Sequence, residues 1–161
     1  MNTYPPTKTP TAGRKVRFLS FLVPAMNEEQ TIETLYEGIR EQACALAKRW
    51  EIIFIDDGST DATWSVMSGL AKRDPGHVRA LRFRHNRGKA DALALGYRTA
   101  RGQVVFTMDA DLQDDPEEIP RFLVKLDEGY DIVSGWKRKR YDPWHKVLPS
   151  RVFNAVLSRL V

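Results

Sequence analysis

The chain has 161 residues, 42% hydrophobic and 29% charged, which is enough apolar side chain for one globular domain and too much for a disordered one. Its net charge of +4 and pI near 9.3 would suit nucleic acid, but the charge is segregated. Residues 137–161 hold seven Lys or Arg against one acid, whereas residues 1–136 hold 18 basic and 20 acidic, so no basic face interleaved with aromatics is expected and nucleic acid is set aside as a partner.

Residues 1–15, with Pro5, Pro6, Pro10 and Gly13, read as a flexible leader without the apolar core of a signal peptide. Apolar β-type runs follow at 17–23 (RFLSFLV), 51–55 (EIIFI), 78–83 (VRALRF), 103–108 (QVVFTM) and 130–135 (YDIVSG). Between the first two, Ile32, Leu35, Ile39, Ala43 and Leu46 mark one face of a helix that starts near Asn27. The single cysteine, Cys44, lies in this pattern as a small buried side chain and excludes an internal disulfide. Further helices are expected over 61–72, 88–101 and 117–128. Strands alternating with helices imply right-handed crossovers, so residues 16–136 are predicted to form an α/β domain, a mainly parallel sheet with helices on both faces.

The last segment, 137–161, opens on the basic cluster Lys137–Arg140. Val152, Phe153, Val156, Leu157, Leu160 and Val161 then form a helical stripe opposite Arg151, Asn154, Ser158 and Arg159. Such a helix can lie in a bilayer interface or pack on the domain. No apolar run of about 18 residues occurs, so no transmembrane helix is expected within the sequence. The sequence stops inside an apolar-periodic stretch, as the front part of a longer protein would.

In sheets of this type ligands bind at the carboxyl ends of the strands. Three of those ends are acidic: VPAMNEE (23–29), IDDGSTD (55–61) and TMDADLQ (107–113). One Asp at a strand end is usually a turn or helix cap. Three acidic ends on one edge repel one another unless a cation or a polar ligand lies between them. Asp114 and Asp115, which precede Pro116, read as an N-cap and first turn with Pro at the first helical position.

The segments VPAMNEEQTIE, EIIFIDDGSTDAT, NRGKADALALGYRTARGQVVFTMDADLQDDPEEIP and DIVSGWKRKR, in this order and spacing, resemble the family 2 glycosyltransferases. More narrowly they are similar to the dolichyl-phosphate mannose synthases and the bacterial polyprenyl-phosphate sugar transferases. The resemblance covers residues 17–161 and implies a GT-A-type Rossmann-like fold, apparently cut short at its C-terminus, and a nucleoside diphosphate sugar donor linked to UDP or GDP. By match to the family motifs, Pro24, Met26 and Glu28 would line the base and ribose pocket. Asp56 and Asp57 would accept hydrogen bonds from the base or the sugar hydroxyls. Asp111 and Gln113 would bind Mg²⁺ or Mn²⁺ on the donor diphosphate, with Asp109 beside the ribose or reaching the metal through water, Ala110 a further nucleotide-sugar contact, and Asp109 and Asp111 as the catalytic pair. Lys89, next to Arg87, and Lys137 are candidate donor contacts, with a solvated surface as the bland alternative for each.

The reaction that the resemblance implies is inverting sugar transfer to a polyprenyl phosphate at the cytoplasmic face of a membrane, the bacterial inner membrane in particular. It leaves homo-oligomerisation open. Two further readings stand beside it, a glycosyltransferase with a saccharide hydroxyl acceptor and a non-catalytic nucleotide-binding fragment. A phosphatase using Asp-x-Asp would want Thr or Val two residues after the second Asp, where this chain has Gln113.

Overall fold

The computed structural model describes residues 18–135. Four strands, β1 (Leu19–Ala25), β2 (Trp50–Asp56), β3 (Val78–Arg82) and β4 (Val104–Thr107), form one parallel sheet in the order β3-β2-β1-β4. The crossovers are α1 (Ile32–Leu46), α2 (Thr63–Arg73) and α3 (Lys89–Thr99). After β4 a short 3₁₀ turn, Pro116–Glu118, leads directly into α4 (Ile119–Asp127).

Alternation along the central strands decides which helix covers which face. Phe21, Val23, Ile52 and Phe54 point into the larger core with Leu35, Ile39, Met67 and Ile119, from α1, α2 and α4. Leu22, Ile53 and Ile55 point the other way, onto Ala92 of α3. Both β1 and β2 are buried along their whole length, as apolar strands covered on both faces must be. Pro24 sits in a central strand without losing a ladder bond. β4 pairs β1 only as far as Leu22, so the missing N–H faces no strand.

The run 130–135 is not a strand in this structure; its residues are irregular, and Ile132 is 86% exposed. A β-type sequence becomes a strand only where a neighbour accepts its backbone, and among the described residues β4 is paired on one side alone. Residues 137–161, including the basic cluster and the apolar stripe, lie outside the described residues. No described helix is long and apolar enough to cross a membrane.

The rim away from the strand carboxyl ends is held by two polar clusters. Buried Glu51 accepts from Ser20 Oγ at 2.8 Å, from Arg101 N at 2.7 Å and from Arg79 at 3.2 Å, tying the α3–β4 connection to the sheet. In the second, His77 Nδ1 lies 2.9 Å from Asp74 Oδ1, the Tyr36 hydroxyl donates to Asp74 Oδ2 at 3.0 Å, and the His77 ring stacks on Trp50. Cys44 is exposed beside this cluster, against the expectation that it is buried.

Burial pushes the Asp74 carboxyl up, but hydrogen bonds from His77 and Tyr36 and the charge of His77 outweigh it and hold the group below its usual value. A carboxyl whose folded pKa is depressed contributes stability above its unfolded pKa of about 4 and loses it as pH falls through the folded value. Asp74→Asn should therefore lower the urea midpoint at pH 7. The variant should also lose part of the decline expected of the unmodified chain between about pH 4 and more acid conditions.

Candidate functional site

The strand order creates a switch point. From β1 the chain moves towards β2 on one face of the sheet, and from β3 it returns to β4 on the other. The loops after β1 and β4 therefore diverge, and the crevice between them is where open α/β sheets bind ligands. Four loops border it, and each carries polar groups that sequence reading had placed at strand ends.

The loops after β1 and β2 are stitched together. Asn27, in the left-handed region at φ 58°, receives the Thr60 N–H on its side-chain oxygen at 2.9 Å and donates its own N–H to Ser59 Oγ at 2.9 Å. Asn tolerates this conformation better than most residues. Glu28 N donates to Thr63 Oγ1, and Thr31 Oγ1 donates back to the Glu28 carboxylate. Glu29 accepts from Ala62 N at 2.7 Å, so its charge sits at the start of α2 rather than of its own helix. Pro24 is buried at the end of β1 and Met26 is 43% exposed just beyond it, both on the crevice rim.

Asp56 and Asp57 separate into two roles. Asp56 is fully buried at the end of β2; its Oδ1 accepts from Ser59 N at 2.9 Å and its Oδ2 lies 2.9 Å from Arg82 Nε. That approach is an ion pair that lacks the alignment of a hydrogen bond. Arg82 is held in turn by the Ser59 carbonyl and by the face of Trp64. Asp57 instead spends both oxygens on backbone, accepting from Arg87 N at 2.7 Å and Gly88 N at 2.9 Å. It fixes the turn into α3 and with it the position of Lys89.

The segment after β4 curls into a compact loop. Asp114 Oδ2 accepts from Asp109 N at 2.8 Å and closes it, while Asp115 Oδ1 accepts from Glu117 N at 2.9 Å and caps the 3₁₀ turn that starts with Pro116. The capping reading thus holds for Asp115, whereas Asp114 shapes the loop. Leu112 adopts φ 60° although it is not glycine, a conformation that costs about 1–2 kcal/mol. Its neighbours Asp111 and Gln113 are exposed on either side, and Ala110 is buried beneath. Backbone strain of this kind is tolerated where a loop has to present particular side chains.

The donor set of this loop fits a hard divalent cation. Asp109, Asp111, Gln113 and Asp114 offer only oxygen to a metal. Asp111 Oδ1 accepts from Gln113 N at 3.0 Å, while its other oxygen and the Gln113 side chain make no hydrogen bond with the described residues. Among the described residues no three or more His, Cys, Asp or Glu converge so as to hold an ion by themselves. An open arrangement of this sort suits Mg²⁺ or Mn²⁺, which keep waters and take further ligands from phosphate. Lys89, the first residue of α3, donates from Nζ to Asp109 Oδ1, which joins the β3–α3 loop to the β4 loop. Arg87 is engaged with Asp91 at 3.2 Å and lies over Phe83, beside a cleft of about 500 Å³ lined by Arg82, Phe83, Arg84, His85 and Arg87.

Sequence reading missed Asn27, Ser59, Thr63 and Arg82. Each acts through a loop-to-loop contact across 23 to 35 positions, and the signal available was only that Asn, Ser and Thr cluster at the same strand ends.

Residues 20–159 match the family described as "Glycosyl transferase family 2". The chain belongs to this family. Among curated proteins, an undecaprenyl-phosphate 4-deoxy-4-formamido-L-arabinose transferase of Proteus mirabilis (strain HI4320) is 35% identical over 145 residues, 90% of this chain and 44% of the relative. The enzyme of the same name from Enterobacter sp. (strain 638) is 35% identical over 140 residues, 87% of this chain and 43% of the relative. The chain thus spans less than half the length of these relatives. Among solved structures, the mannosyltransferase PcManGT from Pyrobaculum calidifontis in complex with GDP-Man and Mn²⁺ superposes with a TM-score of 0.54 at 31% identity, covering 67% of this chain and 31% of that one. Glucosyl-3-phosphoglycerate synthase from Mycobacterium tuberculosis in complex with UDP gives 0.59 at 28% identity, covering 77% and 46%. The expected GT-A-type parallel sheet is the fold these neighbours share with the family 2 chain.

Proposed function

We propose that this family 2 glycosyltransferase chain is the donor-binding half of an enzyme that transfers a sugar, with inversion, from a nucleoside diphosphate to a polyprenyl phosphate. The observation that carries the donor side is Asp56 Oδ2, a fully buried acceptor without an aligned donor at the carboxyl edge of the sheet. A base N–H, as in uracil or guanine, would bond it once Arg82, 2.9 Å away, yields the place. Pro24, Met26 and Glu28 border the same crevice and would frame the base and ribose, with Asp57 supporting the wall through Arg87 and Gly88.

Across the crevice, Asp111 and Gln113 would hold Mg²⁺ or Mn²⁺, with Asp109 and Ala110 beside the ribose; two solved relatives were crystallised with Mn²⁺. When bound, the cation neutralises charge on the leaving diphosphate. The chain's own contribution is to fix the donor: Asp56 sets the base, and the strained Leu112 turn sets Asp111 and Gln113. A phosphate acceptor is an anion at neutral pH, so orientation and leaving-group neutralisation lower the barrier with less need of a general base.

The acceptor assignment draws on the names of the curated relatives, undecaprenyl-phosphate transferases, and on the basic segment starting at Lys137. A cluster of this kind suits phosphate and anionic lipid headgroups. On this reading the enzyme would work at the cytoplasmic face of a bacterial inner membrane. Calorimetry of the folded chain with UDP and with GDP, each with Mn²⁺ or Mg²⁺, tests the donor reading: metal-dependent heat is expected with at least one. Absence of heat with both would defeat it.

A further inference from the structure

We propose that Lys89 is an exchangeable counter-cation that couples metal binding to diphosphate binding. It occupies Asp109 while the loop is empty and passes to the diphosphate when metal and nucleotide enter together. The inference rests on the donor site described above. Its basis is the one cationic side chain seen to bridge from the β3–α3 loop to the β4 loop among the described residues: Lys89 Nζ donates to Asp109 Oδ1.

The two ends of this contact are held differently. Gly88, just before Lys89, is fixed through its N–H by buried Asp57, at φ 92°. Asp109 is fixed through its own N–H by Asp114. The backbones at both ends are therefore set, while the lysine side chain, 59% exposed, retains the freedom to swing. A long flexible stem carrying a positive charge suits a partner exchange.

Electrostatics then gives the sign of the coupling. A dication entering beside Asp109, Asp111 and Gln113 meets the ammonium already on Asp109, and the two cations repel. Metal alone is therefore disfavoured by Lys89. A nucleoside diphosphate brings negative charge to the same place, and Lys89 gains a charge-assisted hydrogen bond in exchange for the one it gives up. Metal and diphosphate thus favour each other's binding, and by linkage the factor is the same in both directions.

The test uses the full chain in three forms: unmodified, Lys89→Met without the charge and Lys89→Arg with it. Free Mn²⁺ is followed by electron paramagnetic resonance without nucleotide, and UDP and GDP binding by calorimetry at saturating Mn²⁺. Lys89→Met should bind Mn²⁺ alone about two- to fivefold more tightly, the range spanned by exposed ion pairs. It should bind the diphosphate about tenfold more weakly, as loss of one charge-assisted bond would give. Lys89→Arg should stay near the unmodified chain in both.

Opposite shifts in the two affinities support the exchange. Unchanged or weaker Mn²⁺ binding by Lys89→Met overturns it, as does a parallel loss of both affinities, which would make Lys89 a structural strut. If the unmodified chain binds neither diphosphate with Mn²⁺, the donor reading itself fails; if it binds but Lys89→Met does not shift Mn²⁺ alone, only the exchange fails.

Discussion

Asp111→Asn should abolish metal-dependent nucleotide binding, while Asp115→Asn, four positions on, should leave it intact. The two carboxylates stand in one acidic run, and the structure gives them different work. Asp111 offers a carboxylate oxygen to the crevice beside Gln113, and its Oδ1 accepts from Gln113 N. An asparagine preserves that acceptor and hence the turn, but replaces the charged oxygen with a weakly coordinating amide. With Asp111 as the direct metal ligand proposed above, its loss should exceed the roughly 10- to 100-fold cost seen for residues that only orient ligands. Asp115 faces away, capping Pro116–Glu118 through Glu117 N. Asn caps about as well as Asp, and even Asp115→Ala should cost only about 1 kcal/mol of stability. Calorimetry with UDP or GDP and Mn²⁺ measures the binding, and urea unfolding the stability. Comparable loss of binding in the two Asn variants would remove the distinction between ligand and cap.

The contrast shows what was legible in the sequence. Periodicity located the four described strands and the four described α-helices, though α1 starts at Ile32 rather than near Asn27, because the central strands are continuous apolar runs and α1 has a clean apolar face. The acidic strand ends were legible too, since a parallel sheet brings all its carboxyl ends to one edge. The division of labour among the acids was not. Asp56 and Asp57 are adjacent, chemically identical and both buried, yet one pairs with Arg82 and the other braces a turn 30 positions away. Nothing local distinguishes them; the difference comes from strand pleat and from where the β3–α3 loop passes. The run 130–135 failed for the converse reason. Its composition is that of a strand, but strand formation requires pairing, and the segment pairs with neither open edge of the described sheet.

The same logic makes Gly58 the position where a small change should do most harm to fold and site together. Gly58 has φ 76°, which an L side chain reaches only at about 1–2 kcal/mol. A Cβ there would also lie 2.7 Å from both Asn86 N and His85 C, which are backbone atoms and cannot rotate away. Relieving such a clash by shifting the chain costs a further 1–3 kcal/mol or so. Gly58→Ala should thus destabilise the protein by about 3 kcal/mol, summing strain and clash. The shift falls between Asp57 and the Arg87–Gly88 turn it holds, so nucleotide affinity should fall as well, at temperatures where the variant is still folded. Gly69 supplies the control. It is exposed within α2, and a Cβ there meets nothing within 4 Å, so Gly69→Ala should stabilise by up to about 1 kcal/mol through helix propensity alone. Urea unfolding of both variants, with UDP and GDP binding measured in parallel, checks the pair. Opposite signs in stability with loss of binding confined to Gly58→Ala are expected, and a Gly58→Ala protein as stable as the unmodified chain would mean that the two loops are not locked against each other as the structure places them.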